Sequence, residues 1–210
     1  MFTCGAKGRS MRKEESRYHH GHLAESLLDA VDEIASQFGL EAVTLRACAK
    51  RVGVSPSSAF RHYVDKRALL TTFATRALNQ LADAMEKAKQ RAHQEGGDAF
   101  DAVGMAYVAF ALEKPAFFRA MWREETIYSQ DTDYLGAAQR LAGYLKEGFV
   151  RTLSDTDPDT FSPQELLAWS AVHGLASLFI DGPVARDKVR EQKLRLADTV
   201  LRELEPAFSR

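Results

Sequence analysis

Apolar residues return at steps of three and four along most of this chain, and those steps lay out a series of helices. Leu23, Leu27, Val31, Ile34 and Phe38 form one stripe, while Glu25, Asp29 and Ser36 fall elsewhere on the wheel. The pattern predicts an amphipathic helix over 23–38, closed by Gly39. Thr44 is placed to cap a shorter helix over 45–52, ended by Gly53. Ser55-Pro56 then opens a third, with Ser accepting from orphan amides and Pro giving up nothing at the first helical position. Two short helices joined by a Gly-containing turn predict a helix-turn-helix over 44–63.

The next stripe, Leu70, Phe73, Ala77, Leu81 and Met85, predicts a helix over 66–91, long enough to carry the chain into a second body. Gly96-Gly97 marks a break. Further helices are expected over 98–113, 115–124, 134–153, 163–180 and 187–204, with a loop rich in Asp, Thr and Pro at 154–163. No alternating strand and no internal repeat is found, so the fold class is all-α. Residues 1–17 have no apolar period and are expected to be a disordered arm.

Composition changes this picture little. The 210 residues suit one large domain or two small ones, with enough apolar content for a substantial core. No apolar run is long enough to span a membrane and the first residues lack the greasy stretch of a signal peptide, so a cytoplasmic protein is expected. Cys4 and Cys48 stand alone, which excludes a disulfide framework and a paired-cysteine zinc site.

Charge changes it more. Residues 1–81 hold 12 Lys/Arg against 8 Asp/Glu, and residues 82–210 hold 16 against 21, giving +4 and −5. Within 44–67, Arg46, Lys50, Arg51, Arg61, Lys66 and Arg67 meet only Asp65. That excess suits a polyanion, although a solvated helix face alone would also produce it.

The third predicted helix is short, and Ser57, Ser58, Arg61 and His62 point outward. A major groove admits such a helix, and small residues near its start, Ser55 and Pro56 included, let its backbone approach base edges. Arg61 can fork onto a guanine, and Arg46 projects from the start of the second helix. Thr44, Ser58, His62, Tyr63 and Lys66 offer donors where flanking phosphates would lie. The plainer alternative is a three-helix fragment with a basic face and no nucleic-acid partner.

The pieces "QFGLEAVTLR", "VGVS", "SPSSAFRHY" and "VDKRALL" resemble, in order and spacing, the DNA-binding domain of the tetracycline-repressor family of bacterial transcription regulators. The resemblance covers residues 18–81. It implies that Arg46, Pro56, Ser57 and Arg61 face bases, and that Thr44, Ser58, His62 and Lys66 hold phosphate. Phe60 departs from it, standing where the family usually has Tyr, and Tyr63 is the expected substitute for that hydroxyl. Cys48 replaces the usual Leu, which implies a buried small hydrophobe.

"YHHGHL", residues 18–23, places three histidines in four positions. A metal site needs ligands converging from several directions, and adjacent His19 and His20 point apart in most backbones. The stretch resembles the lead-in of one subset of the same regulators. That implies Tyr18 and His19 beside the DNA backbone, with Gly21 or His22 beginning the helix. No metal and no cofactor is expected.

After residue 91 one fragment still resembles something known: "WSAVHGLASLFIDGP", residues 169–183, is similar to the Trp-His-Gly signature of one regulator C-terminal domain. Trp169 and His173 share a helix face. Residues 82–210 are therefore expected to form a helical ligand-binding and dimerisation domain. Leu167, Leu175, Leu178, Leu194, Ala197 and Leu201 are its candidate dimer interface, the alternative being a monomer's own core. Met105, Phe117, Met121, Trp122, Tyr144, Trp169 and His173 are candidates to line an apolar pocket, and each is equally ordinary core material.

These readings converge on a homodimeric, ligand-responsive regulator that binds a double-stranded DNA operator and is released by a small molecule. A helical metal-dependent enzyme using His19, His20, His22 and His173 is the main alternative. Against it, the chain has no H-E-x-x-H, nucleophile elbow or phosphate loop. A ligand-binding dimer without operator specificity is the third reading.

Overall fold

A computed structural model describes residues 22–149 and 161–208. The arm at 1–17, Tyr18 to Gly21 and most of the 154–163 loop lie outside those residues. Nine α-helices are described: α1 Leu23–Phe38, α2 Leu45–Val52, α3 Pro56–Phe60, α4 Lys66–Glu95, α5 Ala99–Glu113, α6 Pro115–Met121, α7 Thr132–Glu147, α8 Pro163–Ile180 and α9 Arg190–Phe208. Two 3-10 turns, Leu40–Ala42 and Glu124–Thr126, complete the described elements, and no strand is among them.

The termini follow local chemistry. Thr44, Ser55, Asp98, Asp131 and Ser162 each accept backbone N–H bonds at a helix start. Gly39, Gly53 and Gly96 lie at positive φ just past helix ends, the conformation only glycine adopts at no steric cost. Some boundaries differ from expectation. α4 runs on to Glu95 until Gly96 stops it, and α6 ends at Met121 before a separate 3-10 turn. Because the Asp131 carboxylate caps Asp133 and Tyr134, α7 begins at Thr132.

By internal packing the chain divides into two units between Leu69 and Leu70. In the first, Leu27, Val31, Val43, Cys48, Ala49, Ala59 and Leu69 are fully buried. Burial also pushes the Cys48 thiol up to about 11, so at neutral pH it is an inert small hydrophobe. Arg51 pairs with Glu33 at 2.9 Å, joining α2 to α1.

In the second unit α5 is apolar nearly all round and is accordingly covered on several sides, by α6, α8 and α9. Val108, Leu175, Phe179 and Ala197 form one core cluster there. Phe117 lies in another region, 4.5 Å from the Phe73 ring and stacked on Phe110 at 6.4 Å. Glu165 is fully buried because its carboxylate closes the capping box at the start of α8, accepting the Ser162 N–H at 2.7 Å.

Phe117 therefore behaves as core. Phe117→Ala is expected to cost about 3–5 kcal/mol, read as a lower urea midpoint at unchanged slope. A variant as stable as the parent would show that the ring faces open space.

Candidate nucleic-acid interface and ligand cavity

The α2-turn-α3 segment is fixed by short-range bonds. Thr44 Oγ1 accepts the Ala47 N–H at 3.0 Å, and Gly53 takes the left-handed turn that releases the chain. Ser55 Oγ accepts from Ser58 N at 3.3 Å and shares hydroxyl bonds of 2.9 Å with Ser57 and Ser58. Arg61 Nη2 donates to Ser58 Oγ at 3.1 Å, so the guanidinium is steered along α3 before anything binds. Thr44, Arg46, Ser55, Pro56, Ser57, Arg61 and His62 are exposed, and Ser58 is half-buried. Phe60 is also outward, 47% exposed.

Two of the ten expected DNA contacts face inward. Tyr63 is buried, and its hydroxyl donates to the Ala24 carbonyl of α1 at 3.4 Å. It cannot replace the hydroxyl that Phe60 lacks while it holds that bond. Lys66 Nζ donates to the carbonyls of Leu40 and Glu41, both at 3.3 Å, and is half-buried. His22 stands at the N-cap of α1 without a side-chain bond. His19 and His20 lie outside the described residues, and no group of three His, Cys, Asp or Glu within them is placed to hold a metal ion.

The second unit contains a cavity of about 840 Å³ between α5, α7, α8 and α9. Of the seven expected pocket residues, Trp122 and Trp169 line it, with ring centroids 5.2 Å apart. Met121 and Phe117 are instead core, and Met105 packs against the Val108 cluster. Tyr144 faces α4, its hydroxyl donating to Glu86 at 3.0 Å. His173 stands behind the wall: Tyr107, a lining residue, bonds its Nδ1 at 2.9 Å, and the rings of Phe118 and Trp122 lie 5.1 and 5.6 Å away.

Burial lowers the His173 pKa and pushes the Tyr107 phenol up, so both are neutral at pH 7. Between a neutral phenol and a neutral imidazole either partner can be the donor, the choice following the imidazole tautomer. The indole N–H groups of Trp169 and Trp122 pull the phenol back toward ionisation. The Trp122 N–H nevertheless stops short of bonding geometry and is buried without a partner.

Periodicity missed most of the wall. α7 supplies Tyr134, Leu135, Ala138, Leu141, Ala142 and Leu145, and Phe100, Phe161 and Val172 add to it. The one available signal was α7's own stripe. Gly148 also lines the cavity, and a Cβ there would collide with the Phe100 ring.

Most of the expected dimer residues also moved inward. Leu175 and Ala197 belong to the core cluster and Leu194 packs on it, while Leu201 lines the cavity. Leu167 and Leu178 are 43% and 44% exposed.

A capped helix-turn-helix in one unit and a cavity-bearing helical body in the other define the class of bacterial transcription regulators with a helical effector domain. Residues 27–72 match the family profile described as "Bacterial regulatory proteins, tetR family". Residues 100–204, half of the chain, match "Tetracyclin repressor-like, C-terminal domain". The chain belongs to the tetracycline-repressor family.

It is 34% identical over 100 residues to the uncharacterized HTH-type transcriptional regulator YobS of Bacillus subtilis (strain 168). That match covers 48% of this chain, which spans about half (51%) of that relative's length. Among solved structures, a protein of unknown function from Rhodococcus sp. RHA1 superposes with a TM-score of 0.66 at 24% identity, covering 89% of this chain and 97% of that one. The TetR-family regulator PfmR of Thermus thermophilus gives 0.55 at 21%, covering 85% and 98%. At these identities the likeness is one of fold.

The Lys66 bonds make its substitution a stability experiment. Lys66→Ala is expected to lower the stability of the free protein by about 1–2 kcal/mol, read by thermal unfolding without DNA. Unchanged stability would return Lys66 to the phosphate-binding set.

Proposed function

We propose that this chain is a homodimeric repressor that grips operator DNA through residues 18–81 and is released when a small molecule enters residues 82–210. The reading rests above all on α3, which offers Pro56, Ser57 and Arg61 from an exposed edge held in place before binding. Arg61 and Arg46 read bases; Thr44, Ser55, Ser58 and His62 hold phosphate. Tyr63 and Lys66 support the head from inside.

Release works through α7. One face of that helix forms cavity wall, and another is tied to α4: Arg140 bonds Asp83 at 2.7 Å and Asn79 at 3.5 Å, Tyr144 bonds Glu86, and Glu147 pairs with Lys89. Gln90 and Tyr144 together hold the Glu86 carboxyl below its usual range. A ligand that displaces α7 drags this ladder, and α4 continues without a break to Lys66. The ligand shifts the equilibrium only by its differential affinity for the two forms.

Dimerisation falls to the stripe the fold leaves uncovered. Leu167, Gly174 and Leu178 follow one another on α8 at helical steps, and a Cβ on Gly174 would meet open space. Val189 and Val200, before and on α9, are likewise exposed. A second copy on this stripe gives the twofold pair that reads half-sites about one DNA turn apart.

Genome-wide mapping of bound sites supplies the operator. Against it, Arg61→Ala is expected to cost about 1–3 kcal/mol and relax base choice at one position, while His62→Ala weakens all sequences evenly. Binding isotherms over an operator library check this, and identical behaviour of the two variants would refute the division of roles. Leu178→Arg is expected to turn the dimer into monomer by sedimentation velocity without unfolding it. A dimer that survives the change does not use α8.

A further inference from the structure

The outward edge of α3, with its C-cap Arg61, has a polar half and a carbon half. At about 100° per residue, Pro56, Phe60, Ser57 and Arg61 follow one another across an arc of about 140°, and all four are exposed. The polar half is arranged before anything binds. Ser57 shares a hydroxyl bond of 2.9 Å with Ser55, and Arg61 Nη2 donates to Ser58 Oγ at 3.1 Å. In the other half Phe60 follows Pro56 by one helical turn, so the two are surface neighbours without a polar side-chain atom between them.

Folding gives little reason for a ring at this place. Phe60 is 47% exposed, while the inward positions around it are taken by the buried Ala59 and Tyr63. Phosphate gives no reason either, because its oxygens need a donor and a phenyl ring has none. An exposed phenylalanine is unremarkable by itself, as Phe38 at the end of α1 shows at 67% exposure. Phe60 differs from Phe38 in its place, between Pro56 and Ser57 on the edge proposed to face bases. Among the groups that tell one base pair from another in the major groove, the thymine 5-methyl is the apolar one.

We infer that Phe60 is a base-reading residue: its ring, with Pro56 beside it, packs on the 5-methyl group of a thymine in each half-site. The inference rests on reading α3 as the helix that enters the groove. Arg61 then selects by hydrogen bonds, and Phe60 selects by removing a methyl group from water.

The test removes that methyl from the DNA. The probe is the strongest duplex that the full-length protein recovers in genome-wide mapping, labelled for anisotropy and remade with deoxyuridine for each thymine in turn. This exchange deletes one methyl and no hydrogen-bonding group. At one position in each half-site the parent protein should bind the uracil duplex about fourfold more weakly, the effect of about one buried carbon. Phe60→Ala should bind the thymine and uracil duplexes alike at that position. The comparison is a ratio within each variant, so any loss of stability, common to both duplexes, cancels. A parent protein indifferent to every methyl would overturn the inference, as would a Phe60→Ala variant that still tells thymine from uracil there. A protein that holds the duplex but ignores its methyl groups loses only the role of Phe60. One that recovers no genomic duplex loses the regulator reading, and the inference with it.

Discussion

A helix of five residues has almost no stability of its own, because nucleation costs more than one turn of hydrogen bonds returns. α3 is such a helix, and everything proposed for the DNA-binding head depends on keeping it formed. Its start is held by the Ser55 cap and by Pro56, whose ring fixes φ in advance. Its underside is held by Ala59, fully buried, and one turn further by Tyr63 on the Ala24 carbonyl. Gly53 supplies the left-handed turn that α2 needs in order to end where α3 begins. Lys66 ties the start of α4 to the carbonyls of the 3-10 turn after α1. The outward edge then carries Ser57 and Arg61, both exposed.

The second unit solves the opposite problem, keeping a space open inside a well-packed body. α5 is covered by α8 and α9 along part of its length, where Val108, Leu175, Phe179 and Ala197 close the core. Beyond that cluster the facing positions are small: Gly104, Ala138, Ala142, Ala168 and Ala171 line the cavity where larger side chains would fill it. The rings around them are held by bonds behind the wall, as Tyr134 is by Met121. α7 carries cavity wall on one side and the α4 ladder on another, so wall and link are the same element. Each exposed pair in that ladder contributes little stability.

Helix existence was legible because it is written locally. The stripe from Leu23 to Ile34, the Thr44 cap, Ser55-Pro56, Gly39 and Gly53 all act within a turn of themselves and appear where expected, whereas Phe38, the stripe's last member, is exposed. What a helix packs against is not local. Periodicity placed Phe117 and Met121 on an apolar face, but not whether that face met Phe73 or an opening. Leu175 and Ala197 were legible as apolar and illegible as core, since an interface stripe and a core stripe have the same period. Tyr63 and Lys66 show the limit of resemblance: a motif transfers a residue's place in the chain and not its hydrogen-bond partner. The cavity's charge was beyond reach for a related reason, because Asp98, Glu124 and Lys146 are far apart in sequence and share no pattern until the fold brings them to one rim.

The uneven charge of the chain ties the two units to one physical scheme. Residues 1–81 carry +4 and residues 82–210 carry −5, so a polyanion is attracted by the first segment and repelled by the second. In the DNA binding proposed above, that asymmetry favours approach by the first segment, since phosphate attraction is long-ranged at low salt and sequence-independent. In the release proposed above, the change passes through α7 against α4, where Arg140 meets Asp83 and Tyr144 meets Glu86, and none of these four side chains lines the cavity.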